Sequence, residues 1–307
     1  MVTYLCFSQP VRSAEMGVGE VAKPLRINVL GPFEVRSEDR VVALAGMKQR
    51  VLLSSLALSS RTAVPIGVLI NMLWGEAPPA TARAKVHAHV SEIRKALGGS
   101  HDGQHPGGWP VVTCQGGYQL SGDVDLDSSE FEISARRARQ ALRLGQYAQG
   151  SGLFARALAM WRGPALADVE SDAIQATAKA LNEGRMLVIE GKAEADLQLG
   201  WYDEVVAELG LVAAANPLRE RLRAELMLAL YRRGSRNEAL AAYRDAHQAM
   251  TRQLGLPPGP QLRRLQQFVY RDDPELWTQS PGDLLTMGAT PGDPPAPPRC
   301  PLPAGRF

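Results

Sequence analysis

Apolar positions along the first third of the chain follow two different periods. Leu25-Arg26-Ile27-Asn28-Val29-Leu30 alternates and is rich in branched residues, so it predicts a strand, stopped by Gly31-Pro32. Phe33–Arg36 and Arg40–Leu44 predict two further short strands, joined by the polar turn Ser37-Glu38-Asp39. Together these predict a small antiparallel sheet. The period then becomes helical. Met47–Leu58 carries Val51, Leu52, Leu56 and Leu58 at helical spacing. In Ile66–Trp74 the residues Val68, Leu69, Met72 and Leu73 form an apolar face, with Gly75 as the stop and Pro78-Pro79 beyond it. Thr81–Leu97 predicts a third helix, in which Ala82, Val86, Val90, Ile93 and Leu97 make one apolar stripe. Gly98-Gly99 ends it, and a Gly/His-rich loop follows. Val111–Cys114 and Tyr118–Leu120 then predict a hairpin around Gln115-Gly116-Gly117.

Strands, three helices and a closing hairpin form the chain order of a winged helix-turn-helix. From Asp127 onward the pattern is helix after helix. Gly200 and Gly234 lie 34 residues apart, each followed by small and aromatic or leucine positions at matching offsets, as in TPR repeats. Gly145-Gln146-Tyr147 repeats the local motif, but its 55-residue spacing to Gly200 makes the first unit irregular. The fold expected is therefore mainly α with a small β part: an N-terminal winged helix-turn-helix, then an all-α TPR-like domain. The expected divisions are a disordered leader over 1–22 (or an over-long start, with Met16 as the initiator), a winged helix over 23–121, a helical domain over 122–272 and a proline-rich disordered tail over 273–307.

Composition adds charge asymmetry. The whole chain of 307 residues has a formal net charge of only +2, but Leu25–Ser121 holds ten Lys/Arg against six Asp/Glu, and Gly122–Asp272 holds twenty of each. A cationic surplus confined to the first domain fits contact with a polyanion there. Cys6, Cys114 and Cys300 are odd in number and far apart, which argues against a disulfide framework or a zinc site and for a cytoplasmic protein. No apolar run is long enough for a membrane span, and Met1–Ala22 lacks the layout of a signal peptide.

No enzyme class finds its residues. No phosphate-binding P-loop motif occurs, and Gly17-Val18-Gly19 lacks a third glycine and a preceding strand. His87 and His89 are two apart on a helix and point to different faces, and His101 and His105 lack a partner at metal spacing. Asp123, Asp125 and Asp127 alternate like an acidic site without the calcium-loop glycine and final glutamate, and they read as a domain junction. No catalytic residue, cofactor or metal is expected.

The third helix carries the functional reading. With Val86, Val90, Ile93 and Leu97 anchored inward, the opposite face centres on Ala84, Ala88, Ser91 and Lys95, flanked by Arg83, Lys85, His87 and Arg94. Small residues let a backbone approach a groove floor, and long cations pair with guanine edges or phosphates. Ser91 and Arg94 are the leading candidates and Thr81 opens the helix. Each of these cations, read singly, is more often a solvated surface residue than a DNA contact. Lys48 and Arg50 begin the first helix, where exposed N–H groups suit a phosphate. Gly116, Gly117 and Tyr118 mark the wing, where glycines bring the backbone close to DNA or simply make a turn.

Leu25–Leu30 with Gly31-Pro32-Phe33-Glu34-Val35, Lys48–Leu53, Leu73-Trp74-Gly75 with Pro78–Arg83, His87–Leu97, and Gly117–Leu120 with Val124-Asp125 together resemble the Streptomyces antibiotic regulatory protein family, over about Leu25 to Tyr270. The resemblance implies an OmpR-type winged helix plus a bacterial transcriptional activator domain. It implies a pathway-specific activator of a secondary-metabolite gene cluster that binds direct repeats near promoters, as a homodimer on double-stranded DNA, and engages RNA polymerase. Two positions depart from the pattern: Met47, where the family often has Pro-Arg around this point, and Glu92, where a basic residue is frequent. The competing expectation is an interaction adaptor with a degenerate winged helix.

Overall fold

The computed structural model describes residues 25–37, 40–59, 62–97, 110–120 and 124–286. The expected leader, the Gly/His-rich loop and the tail beyond residue 286 lie outside the described residues. The chain is mainly helical, with a small β part at its N-terminal end followed by helices, as the periodicity predicts. It divides into two units. The first contains Glu34–Asp125 and the chain up to Ile27; the second contains Asn28–Phe33 and everything from Leu126 onward.

In chain order, β1 (Leu25–Asn28), β2 (Glu34–Ser37) and β3 (Arg40–Val41) are followed by α1 (Met47–Leu58), β4 (Val64–Pro65), α2 (Ile66–Trp74), α3 (Ala82–Ala96), β5 (Val111–Cys114), β6 (Gly117–Leu120) and β7 (Val124–Leu126). One sheet has the order β3-β2-β1-β7, and a second has the order β4-β6-β5. The strands β4 and β7 were not expected from the sequence. The helices α1 and α3 bury most of their predicted stripes: Val51, Leu52 and Leu56 of α1, joined by Leu53 while Leu58 is half-buried, and Ala82, Val86, Val90 and Ile93 of α3, with Leu97 at its C-terminal end. One part of the prediction fails. Of the face predicted for α2 only Leu69 is buried, joined by Ile66; Val68 is 42% exposed, and Met72 and Leu73 are half-buried.

The second unit is a run of antiparallel helix pairs: α4 (Asp127–Arg143) with α5 (Tyr147–Leu158), α6 (Asp172–Leu199) with α7 (Tyr202–Ala215), and α8 (Glu220–Arg232) with α9 (Arg236–Leu254). Each pair turns at a glycine of positive φ: Gly145 at 70°, Gly200 at 77° and Gly234 at 91°. A side chain there would be strained, which explains why the repeat shows first as a spaced glycine. The irregular 55-residue spacing has a visible cause: the non-helical stretch after α5 and the 28 residues of α6 intervene. In α4 the buried face is Phe131, Ala135, Ala138 and Ala141, while Ile133 is 41% exposed.

Two boundaries differ from expectation. Asn28–Phe33 is built into the second unit, where the buried Asp127 carboxylate accepts the N–H groups of Val29 (2.8 Å) and Leu30 (3.0 Å). The N–H of Arg162 donates to Leu30 O (2.8 Å), and that of Leu166 donates to Gly31 O (2.7 Å). Asp127 thus has a structural task; burial raises its pKa, and the Val29 and Leu30 N–H groups and Arg162 pull it back. At the other end, the stretch expected to be disordered from residue 273 is helical as far as Thr286. There α10 (Pro260–Arg271) is followed by α11 (Glu275–Thr278) and α12 (Pro281–Thr286). Leu276 and Leu284 are buried, and Arg232 of α8 donates to the carbonyls of Leu276 and Gln279, both at 2.9 Å.

Candidate nucleic-acid interface

The helix α3 is held from both sides, and each side takes one flank of it. On one flank, Arg94 Nε donates to Val111 O and its Nη2 donates to Thr113 Oγ1, both at 2.9 Å, so the guanidinium is tied to β5. Two turns earlier His87 Nδ1 meets the hydroxyl of Tyr118 on β6, with the two rings edge-on at 71°. On the other flank, Gln49 of α1 is buried; its Oε1 accepts the N–H of Ala45 and its Nε2 donates to Glu92 Oε2 at 2.7 Å. His89 lies 3.3 Å from the same carboxylate oxygen. These hydrogen bonds, that of Gln49 first, hold the pKa of Glu92 below the usual carboxylate range.

Between the two flanks runs a strip with no such ties to its neighbours. Thr81, Ala84, Lys85, Ala88, Ser91 and Lys95 are exposed and lie opposite the buried stripe at helical spacing. Arg83 is also exposed and His87 keeps an exposed surface despite its tyrosine partner. The centre of the outer face is therefore where the spacing predicted it, but Arg94 belongs to the scaffold of that face.

The hairpin likewise sorts into surface and support. The residues Cys114 and Gly117 pair across it, so the turn is Gln115-Gly116, both exposed, with Gly116 at φ 82°. The strand β6 begins at Gly117, one residue earlier than predicted. Gly117 and Tyr118, expected at the surface of the wing, are buried. A Cβ on Gly117 would stand 2.1 Å from Val64 O, so only glycine lets β6 lie this close to β4. Tyr118, 3% exposed, pairs with Val64, and burial raises its pKa against the opposing pull of Arg94. Because β4 runs directly into α2, and the Ile66 N–H donates to Gly116 O (3.0 Å), the hairpin is fixed to the start of α2 as well as to α3.

At the start of α1, Lys48 is exposed with its Nζ 4.4 Å from the Trp74 ring centroid, and Arg50 is half-buried. Gln49, Glu92 and Trp74 were not expected as partners of these residues from the sequence. A signal existed for Gln49 alone: it sits three and four residues before Leu52 and Leu53, on the buried face. Among the described residues no cluster of His, Cys, Asp and Glu could hold a metal ion, and no helix is long and apolar enough to cross a membrane.

A model of the bacterial transcriptional activator domain matches residues 126–269. Regulatory protein DnrI of Streptomyces peucetius is 35% identical over 263 residues, which cover 84% of this chain and 96% of DnrI. The chain belongs to the Streptomyces antibiotic regulatory protein family of transcriptional activators. Regulatory protein AfsR of Streptomyces coelicolor is 37% identical over 273 residues, but the chain spans only 27% of its length. Among solved structures, Mycobacterium tuberculosis EmbR in complex with a low-affinity phosphopeptide superposes with a TM-score of 0.78 at 32% identity, over 87% of this chain and 69% of that one. This member of the family is a transcriptional regulator.

Proposed function

We propose that the chain is a sequence-specific DNA-binding activator that reads promoter DNA with α3. The observation that carries this reading is the untied strip Thr81, Ala84, Lys85, Ala88, Ser91 and Lys95, set between two braced flanks. A major groove admits a helix whose inner face is anchored and whose outer face is small and cationic. In this reading α2 and α3 form the helix-turn-helix, and the turn Gln115-Gly116 is the tip of the wing, beside a phosphate. Ser91 and Lys95 face bases or the adjacent backbone. Lys48, Arg50, Arg83, Lys85 and Thr81 take phosphates, and His87 is a lesser contact. Arg94 and Tyr118 position the helix and hairpin.

Family membership supports the wider assignment. The protein acts in the cytoplasm, without catalysis of its own, and regulates a secondary-metabolite gene cluster. It binds direct repeats near promoters as a homodimer on DNA, and its TPR-like helical unit engages RNA polymerase. The test is fluorescence anisotropy with duplexes from the upstream regions of the neighbouring genes. Specific binding that weakens steeply with salt is expected, because each neutralised phosphate releases counterions. Absence of salt-dependent binding to any such duplex overturns the reading and leaves the helical unit as a protein-interaction adaptor.

A further inference from the structure

The helical unit contains a groove of about 450 Å³ between α6 and α7, and none of its lining residues is among those assigned to DNA. Its walls are apolar: Met186 and Ile189 from α6, and Leu211, Val212 and Ala215 from α7. The volume lies in the range of small-molecule sites, ~300–1,000 Å³. Leu211 at its edge is 83% exposed, an unfavourable position for a leucine unless something covers it.

The groove also has one uncompensated cation. Arg185 lines it, with its guanidinium carbon 5.1 Å from the centroid of the Trp161 ring. Its Nε is buried without a hydrogen-bond partner, and no carboxylate pairs with it among the described residues. The neighbouring arginines differ. Arg219 pairs with Glu183 and Glu190, and Arg221 pairs with Glu194 and Glu225. Glu183, whose carboxylate is neutralised by Arg219, and two amides complete the polar lining. Asn182 uses its oxygen for the Ala165 N–H, and Asn216 uses its nitrogen for Val212 O, so one donor and one acceptor remain.

We propose that this groove binds a small apolar molecule bearing a carboxylate, with the acid on Arg185 and the apolar body against Met186, Ile189, Leu211 and Val212. A half-buried guanidinium placed over an indole gains more from a carboxylate than from water, because planar N–H groups bind the two oxygens together. The apolar walls select against inorganic anions.

Decanoate and decanol, below their aggregation limits, are the probes, titrated calorimetrically into the full chain. Decanoate binds saturably and at least ~tenfold more tightly than decanol, the worth of one charge-assisted pair. Arg185→Gln removes that preference and leaves decanol binding unchanged. Leu211→Glu, at a position too exposed to disturb the core, weakens decanoate by placing a like charge at the mouth. No saturable decanoate binding, or equal affinity for acid and alcohol, overturns the proposal. So does a probe-free dimer that Leu211→Glu converts to monomer, since a second copy then covers the groove.

Discussion

Arg94 donates to the backbone carbonyl of Val111 at 2.9 Å, and this bond ties the flank of α3 to the first strand of the hairpin. An arginine that a sequence places on a DNA-reading face is here committed to its own fold. Replacing it with alanine releases the hairpin from α3 and leaves Val111 O without this donor. We expect Arg94→Ala to lower the melting temperature of the first unit, and to weaken DNA binding with little change in the slope of log K against log salt. Lys95→Ala and Lys85→Ala should instead leave melting unchanged and reduce that slope by about one each, if each neutralises a phosphate. Anisotropy over a salt series beside thermal unfolding separates the two. A reduced slope with unchanged melting for Arg94→Ala would return that residue to the interface.

What the sequence shows and hides follows from the range of the contacts involved. α1 and α3 are legible because each buries a stripe whose spacing is local, and Met47–Leu58 is both the predicted and the observed span; α2 is legible as a helix, but of its predicted face only Leu69 is buried. The strand β4 is not legible: it is two residues, one of them proline, and exists because β6 lies against it. The helix α12 is hidden for another reason. Its Pro281 reads as one more proline of a tail, although proline in a first helical turn is a start signal, and its burial rests on packing against α6 and α8. The outer strip of α3 is legible as a face. Which of its cations are tied down is not, because Arg94 meets β5 across 17 residues and Gln49 meets Glu92 across 43.

Asp127 joins the start of α4 to a segment that precedes it by almost a hundred residues. Its carboxylate is 2% exposed and serves the N–H groups of Val29 and Leu30. Asp127→Ala leaves both donors buried without that acceptor and should cost about 2–4 kcal/mol in chemical denaturation of the second unit. Asp127→Asn, which keeps one acceptor oxygen, should cost less. Residues 124–286 alone lack the donor segment and should melt lower than residues 25–286, with a peptide spanning Leu25–Glu34 restoring part of the loss. Equal melting of the two lengths would show that the segment contributes nothing.

Glu92 places a carboxylate on the α1 side of α3, held there by Gln49 and His89. Because its pKa is lowered, it is fully charged at neutral pH. Beside DNA it repels phosphates. Glu92→Gln should keep the contact with Gln49 and tighten binding several-fold at low salt, with the gain shrinking as salt screens the repulsion. Preference among operator variants should stay unchanged. Competition anisotropy at two ionic strengths checks this, and weaker binding by Glu92→Gln would mean that the carboxylate accepts a hydrogen bond from a base.

Glu225 lies fully buried in α8 with one oxygen 3.0 Å from Arg221 Nε and the other without a partner. Burial raises its pKa well above the ordinary carboxylate value; Arg221 opposes the rise, and Glu190 and Glu194 add to it. The folded chain therefore holds this proton more tightly than the unfolded chain does. The stability it contributes is complete below the unfolded pKa and is lost as pH rises through the folded one. Glutamine in its place removes the ionisation while keeping the shape. Glu225→Gln should match the parent near pH 4.5 and exceed it at pH 7.5, by ~2–4 °C if the difference is ~1 kcal/mol in a unit of this size. Paired melting curves from pH 4.5 to 8 measure it. A glutamine variant less stable at pH 7.5 would mean that the ion pair with Arg221 outweighs the cost of burying the charge.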